Sequence, residues 1–122
     1  MTNSENKIYY LSSCSTSKKI LSKIISLNEF QLQDIKFNPL SASDIDNMQS
    51  VLGTYEIFFS KKSQLYRKLK LNEKVLTEAD YRKYLLSDYT FLRRPVAYFN
   101  GKYYLISLQK ELDRMNADVD RK

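Results

Sequence analysis

The chain has 122 residues, a formal net charge of +6, a single cysteine and no histidine. That length suits one domain with a real core and no staple of disulfides or metal; one cysteine excludes an internal bridge, and the lack of histidine excludes Cys-His and Ser-His catalytic pairs and the commonest zinc sites. No apolar run approaches a membrane span or a secretory signal, so no membrane association and a reducing cytoplasm are expected.

Positive charge runs through Lys61-Lys62, Arg67-Lys68, Lys70, Lys74 and Arg93-Arg94, with aspartate and glutamate interleaved throughout. None of the usual nucleic-acid motifs is visible, so the default is a solvated basic face without nucleic acid.

Residues 1–6 are polar and aperiodic and read as a flexible tail. Lys7 to Leu11 is a short β-rich run, and Ser15 to Leu27 carries Ile20, Leu21, Ile24 and Leu27 at helical spacing. Cys14 stands at the junction of the two. A thiol there faces unpaired backbone N–H groups and the positive end of the helix dipole, both of which favour the reactive thiolate. Lys18 and Lys19 add positive potential. A lone cysteine also fits as a small buried hydrophobe, and position alone leaves both readings open.

Phe30 to Phe37 gives a weaker strand signal, broken at Asp34 and ending before Asn38-Pro39. Ser41 with Asp44 opens a helix with Ile45, Met48, Val51 and Leu52 on one face, which Gly53 stops. A second helix is expected over Tyr55, Ile57, Phe58 and Phe59, with these side chains buried, then a short helix around Gln64 to Leu69. Thr77 with Asp80 opens another, carrying Tyr81, Tyr84, Leu85 and Leu86.

Pro95 to Phe99 and Lys102 to Ile106 flank Asn100-Gly101, a two-residue loop able to supply the positive φ values of a type I′ hairpin turn. Ser107 then caps a final helix with Leu108, Leu112 and Met115 on one stripe, and residues 116–122 alternate charges as a second flexible tail. The order is β-α-β, a helical insertion, then β-β-α. This predicts an α/β fold of the thioredoxin arrangement: a four-stranded mixed sheet flanked by helices, in one domain over residues 7–115.

Ile8-Tyr9-Tyr10, Cys14-Ser15-Thr16-Ser17-Lys18-Lys19, Asp34-Ile35, Pro39-Leu40-Ser41, Leu52-Gly53, Tyr66-Arg67-Lys68-Leu69 and Leu92-Arg93-Arg94-Pro95 occur in the order and spacing of the ArsC/Spx family of thioredoxin-fold proteins, which the chain resembles. The resemblance implies that Cys14 is the nucleophile, Arg94 its anion-binding partner and Pro95 a cis-proline that sets the arginine beside the sulfur. Ser15, Thr16, Ser17, Lys18, Lys62 and Arg93 are the further candidates around the sulfur or an oxyanion.

Departures from the pattern shape the expected chemistry. Arsenate reductases of this family grip the oxyanion with three arginines, and here Ser60 stands at the first position while the third falls in Tyr104-Leu105-Ile106. Lysine offers a point charge, not a planar bidentate face, so Lys61 and Lys62 are no like-for-like replacement. Tyr10 stands where those reductases carry a histidine. Ser17 occupies the place of the second cysteine of the Spx regulators, so any redox chemistry is monothiol, with no bound cofactor and with glutathione or a glutaredoxin as co-substrate. The resemblance also allows a non-catalytic Spx-like module that docks on the RNA polymerase α-subunit. A small thiol or redox protein is the partner otherwise, and a monomer is expected.

Overall fold

The computed structural model describes residues 6–121. It divides into two compact units, one made of the two ends of the chain, up to Asn38 and from Arg94 onward, and one made of Pro39–Arg93. The sequence reading gave a single domain with a helical insertion; that insertion forms a unit of its own. Residues 1–5 and 122, parts of the expected tails, lie outside the described residues.

The first unit holds β1 (Lys7–Tyr10), α1 (Ser15–Leu21), β2 (Gln31–Asp34), β3 (Val96–Phe99), β4 (Lys102–Tyr104) and α5 (Gln109–Arg121). The strands form one mixed sheet in the order β2-β1-β3-β4, with β1 parallel to β2 and antiparallel to β3. Ile8 faces Leu32 and Ala97, and Ala97 faces Tyr104. Ile8, Ala97 and Tyr104 pack with Ile20, Leu21 and Ile24 and with Leu112, Met115 and Val119, so α1 and α5 share one face of the sheet. Tyr9 and Val96 alternate to the other face and are buried too, as expected of strands covered on both sides. The hairpin turn has positive φ at both loop residues, 52° at Asn100 and 83° at Gly101.

Several boundaries differ from expectation. The helix that opens at Ser15 stops at Leu21, and a separate 3-10 turn covers Leu27–Glu29. The final helix runs on to Arg121, through the stretch expected to be a tail, because its polar residues serve tertiary contacts. The Asn116 side chain accepts from Ile25 N and donates to Lys23 O at 3.2 and 3.1 Å, and Asp118 accepts from the buried Tyr104 hydroxyl. Burial, then that hydrogen bond, pushes the Tyr104 phenol well above its ordinary range. Val119 continues the Leu112 and Met115 stripe, whereas Leu108 precedes the helix and is 45% exposed. Asn6, assigned to the N-terminal tail, is buried; its carbonyl accepts from Gln31 and its side chain from Asn100.

The second unit contains α2 (Ala42–Leu52), α3 (Gln64–Lys68) and α4 (Glu78–Ser87). Ser41 with Asp44 and Thr77 with Asp80 form reciprocal capping boxes, and Gly53 ends α2 at φ 104°. In place of the helix expected over Tyr55 to Phe59 there is one 3-10 turn, Glu56–Phe58, followed by an isolated bridge between Phe59 and Leu92. Ile57 is exposed while Phe58 and Phe59 are buried. Phe59 touches the rings of Tyr66, Tyr81 and Phe91, which gives the unit an aromatic core.

Candidate active site

Chain reversal at the end of β1 creates the site. Cys14 N donates to Leu11 O at 3.0 Å, closing a β-turn, and Cys14 O accepts from Lys18 N at 3.2 Å, which starts α1. Cys14 is thus the N-cap, in extended backbone (φ −103°, ψ 113°) with no side-chain capping bond. Its thiol is free and partly exposed. First-turn amides have no intrahelical acceptor, so they and the helix dipole offer positive potential at the Cys14 end.

Two other segments come to the same end of the sheet. In the antiparallel ladder Tyr9 pairs with Val96, the first residue of β3, so Arg94-Pro95 enter the sheet at the end where β1 leads on to Cys14. The Arg94–Pro95 bond is cis and Pro95 is fully buried. In the parallel ladder Tyr10 pairs with Asp34. The Asp34 carboxylate accepts from Ser12 N at 3.3 Å and from Lys36 N at 3.2 Å, which ties the Ser12-Ser13 turn to the end of β2. A bond from the Ser12 side chain, helped by these amides and the Lys36 charge, holds the Asp34 carboxyl below its usual value against the opposing effect of burial.

The remaining candidates stand in several elements. Ser15, Thr16 and Lys18 are exposed on the first turn of α1. Ser17 is fully buried and its hydroxyl accepts from Leu11 N at 3.4 Å, so it braces the strand-to-helix connection. Tyr10 packs against the core under α1 and α5. Lys62 and Arg93 belong to the Pro39–Arg93 unit. There the Arg93 guanidinium donates to Ile57 O at 3.2 Å, Lys61 pairs with Glu56 at 3.0 Å, and Lys62 is exposed. Asp34 is the residue that sequence reasoning missed. In the sequence it counts as a break in strand alternation and as part of the Asp34-Ile35 landmark, not as a brace of the site, and an acid just before a loop is the available signal.

Among the described residues no group of histidine, cysteine, aspartate and glutamate could hold a metal ion, and no helix is long and apolar enough to cross a membrane. A partly exposed thiol at a helix start, with an arginine two residues before the strand beside β1, suits nucleophilic attack on a sulfur or an oxyanion.

No curated protein matches the sequence significantly. Solved structures do. A possible arsenate reductase from Streptococcus mutans is 31% identical, with 82% of this chain and 87% of that one covered and a TM-score of 0.64. An arsenate reductase from Vibrio cholerae is 20% identical over 80% of this chain and 86% of that one, with a TM-score of 0.67. An arsenate reductase (ArsC) related protein from Brucella melitensis is 22% identical over 84% of each chain, with a TM-score of 0.63. The last two carry the fold alone, a thioredoxin-like one. The ArsC family model matches residues 9–112, nearly the whole chain from β1 into α5, and with the Streptococcus mutans relative it establishes that this chain belongs to the ArsC family.

Proposed function

We propose that the protein is a monothiol oxidoreductase of the arsenate reductase type, with Cys14 as nucleophile and Arg94 as its anion-binding partner. The observation that supports this is a partly exposed Cys14 at the N-cap of α1, just after β1, together with an Arg94-cis-Pro95 segment that leads into β3, the strand antiparallel to β1. With a mixed disulfide as substrate, the Cys14 thiolate attacks one sulfur and expels the other as thiolate; glutathione then attacks the new disulfide and returns Cys14 to its reduced form. With an oxyanion, sulfur displaces an oxygen that leaves as water. Two external thiols then supply two electrons and end as a disulfide. Ser17 in place of a second cysteine makes an external resolving thiol necessary, which accords with a reducing, glutathione-containing cytoplasm.

The test is glutathione-dependent reduction of a small disulfide such as bis(2-hydroxyethyl) disulfide, coupled to glutathione reductase. Activity lost in Cys14→Ser supports the proposal. No activity above the glutathione background in the wild type refutes it.

A second reading, a non-catalytic Spx-like module that docks on the RNA polymerase α-subunit, draws support from Ile106, which is 1% exposed where the third arginine of the reductases falls. In that case RNA polymerase α-subunit binding persists in Cys14→Ser.

A further inference from the structure

Residues 61–74 hold six lysines and arginines against one acid, Glu73, and so account for five of the chain's six net positive charges. Lys62, Arg67, Lys68, Lys70 and Lys74 are all exposed, and among the described residues none of them joins an ion pair. Acids of the same unit are engaged elsewhere: Asp46 with Arg82, Glu56 with Lys61, Glu78 with the Tyr55 and Glu56 amides, Asp44 and Asp80 in their capping boxes, and Asp88 on Thr90.

Local stability explains only part of this patch. Arg67 and Lys68 lie in the last turn of α3, where a cation suits the helix dipole. Lys62 precedes the N-cap Ser63, at the end where the dipole disfavours it. Lys70 has φ 57°, a left-handed conformation that glycine or asparagine adopts more readily. A lysine held there keeps a charge at the expense of backbone comfort. The patch is also partly apolar: Leu69 is 45% exposed and Val75 is 96% exposed. Tyr66 and Phe59 are turned into the ring cluster, which leaves no aromatic platform here for stacking bases.

From this charge and this apolar admixture we infer that the α3 face of the Pro39–Arg93 unit, Lys62 to Val75, is a docking surface for an acidic protein segment that also presents aliphatic side chains. The cations meet carboxylates, and Leu69 and Val75 meet the aliphatic side chains, which phosphate backbones lack.

Fluorescence anisotropy on the full chain tests this with three labelled probes: an amphipathic peptide of glutamate and leucine, polyglutamate of the same length, and a DNA duplex. The peptide is expected to bind most tightly, in a salt-dependent way. Joint Lys68→Glu and Lys70→Glu substitution weakens it roughly tenfold, and Val75→Ser weakens the peptide but not polyglutamate. Lys70→Gly relieves the backbone, so it raises the thermal midpoint while weakening the peptide, an outcome that misfolding cannot imitate. Preference for the duplex, equal binding of peptide and polyglutamate, no binding of the peptide, or affinity unchanged in the lysine variants overturns the inference.

Discussion

Arg94 is the residue through which the reactivity of Cys14 can be tested without touching the sulfur. Guanidinium presents a planar fork of donors that grips an anion from one side, whereas a lysine at the same place supplies charge without the fork. In Arg94→Ala the rate of Cys14 alkylation by iodoacetamide near neutral pH is expected to fall by roughly ten- to a hundredfold, on the order of the 1.5–3 kcal/mol that a hydrogen bond to a charged group contributes. Arg94→Lys recovers part of it. A rate unchanged in both variants would separate Arg94 from the thiol. Cys14 could be singled out from its own position, a cysteine just after a short strand, whereas Arg94 and Pro95 stood out only through the family resemblance, as an Arg-Pro pair that leads into a hairpin. Arg93 shows the limit of that signal. Successive residues of an extended segment point opposite ways, and the Arg93 guanidinium reaches Ile57 O. Asp34 was not legible because its role rests on the parallel pairing with Tyr10, a contact across 24 residues of sequence.

Elements are held by a few polar clamps whose signs can be worked out. Asp46 on α2 accepts from Arg82 Nε and Nη2 on α4, at 2.7 and 3.0 Å, and from the Tyr55 hydroxyl at 2.7 Å. The Arg82 bonds, then the Tyr55 bond, lower its pKa from 3.8 to about 2. A carboxylate with a depressed folded-state pKa stabilises fully above its unfolded value and loses that contribution as pH falls through the folded value. The margin by which the wild type exceeds Asp46→Asn in urea unfolding is therefore constant above pH 3.8 and shrinks as pH approaches about 2. A margin independent of pH would mean that the carboxylate charge is not what stabilises. At the hairpin, a Cβ on Gly101 would meet nothing within 4 Å, so Gly101→Ala costs only its backbone at φ 83°. That is about 1 kcal/mol, and Gly101→Asn costs less; equal chemical-denaturation midpoints for Gly101→Ala and the wild type would contradict it. Both capping boxes and this turn were readable because their residues lie three apart or adjacent. The Tyr55 to Phe59 segment misled because its run of large apolar side chains suits any buried backbone, and the extended Phe59 bridge to Leu92 is set by a partner 33 residues away.

At the scale of the whole molecule, the pairing of β1 parallel to β2 and antiparallel to β3 brings the ends of β1 and β2 and the starts of β3 and α1 to one end of the sheet. That topology was legible from the alternation of strand and helix periods, since a β-α-β unit joined to a terminal hairpin has few ways to pair. The helical insertion was legible in the same way, but not that it forms a compact unit of its own, because nothing in the sequence marks a linker at Asn38-Pro39 or Arg93-Arg94. What the site carries then bears on substrate. Where the reductases have three arginines this chain matches one, Arg94; Ser60 stands at another position and the buried Ile106 at the third. Lys61, next to Ser60, is committed to Glu56. Two missing charge-assisted donors, each worth about 1.5–3 kcal/mol, cost roughly two to four orders of magnitude in binding or transition-state stabilisation of arsenate. A disulfide substrate develops charge on sulfur rather than on a ring of oxyanion oxygens, so it is spared most of that loss. With glutathione and glutaredoxin supplied, arsenate turnover is thus expected to be weak or absent in the same preparation that reduces a small disulfide. Robust arsenate turnover in the coupled assay would overturn this and would mean that Lys61, Lys62 or Arg93 substitutes for the missing donors.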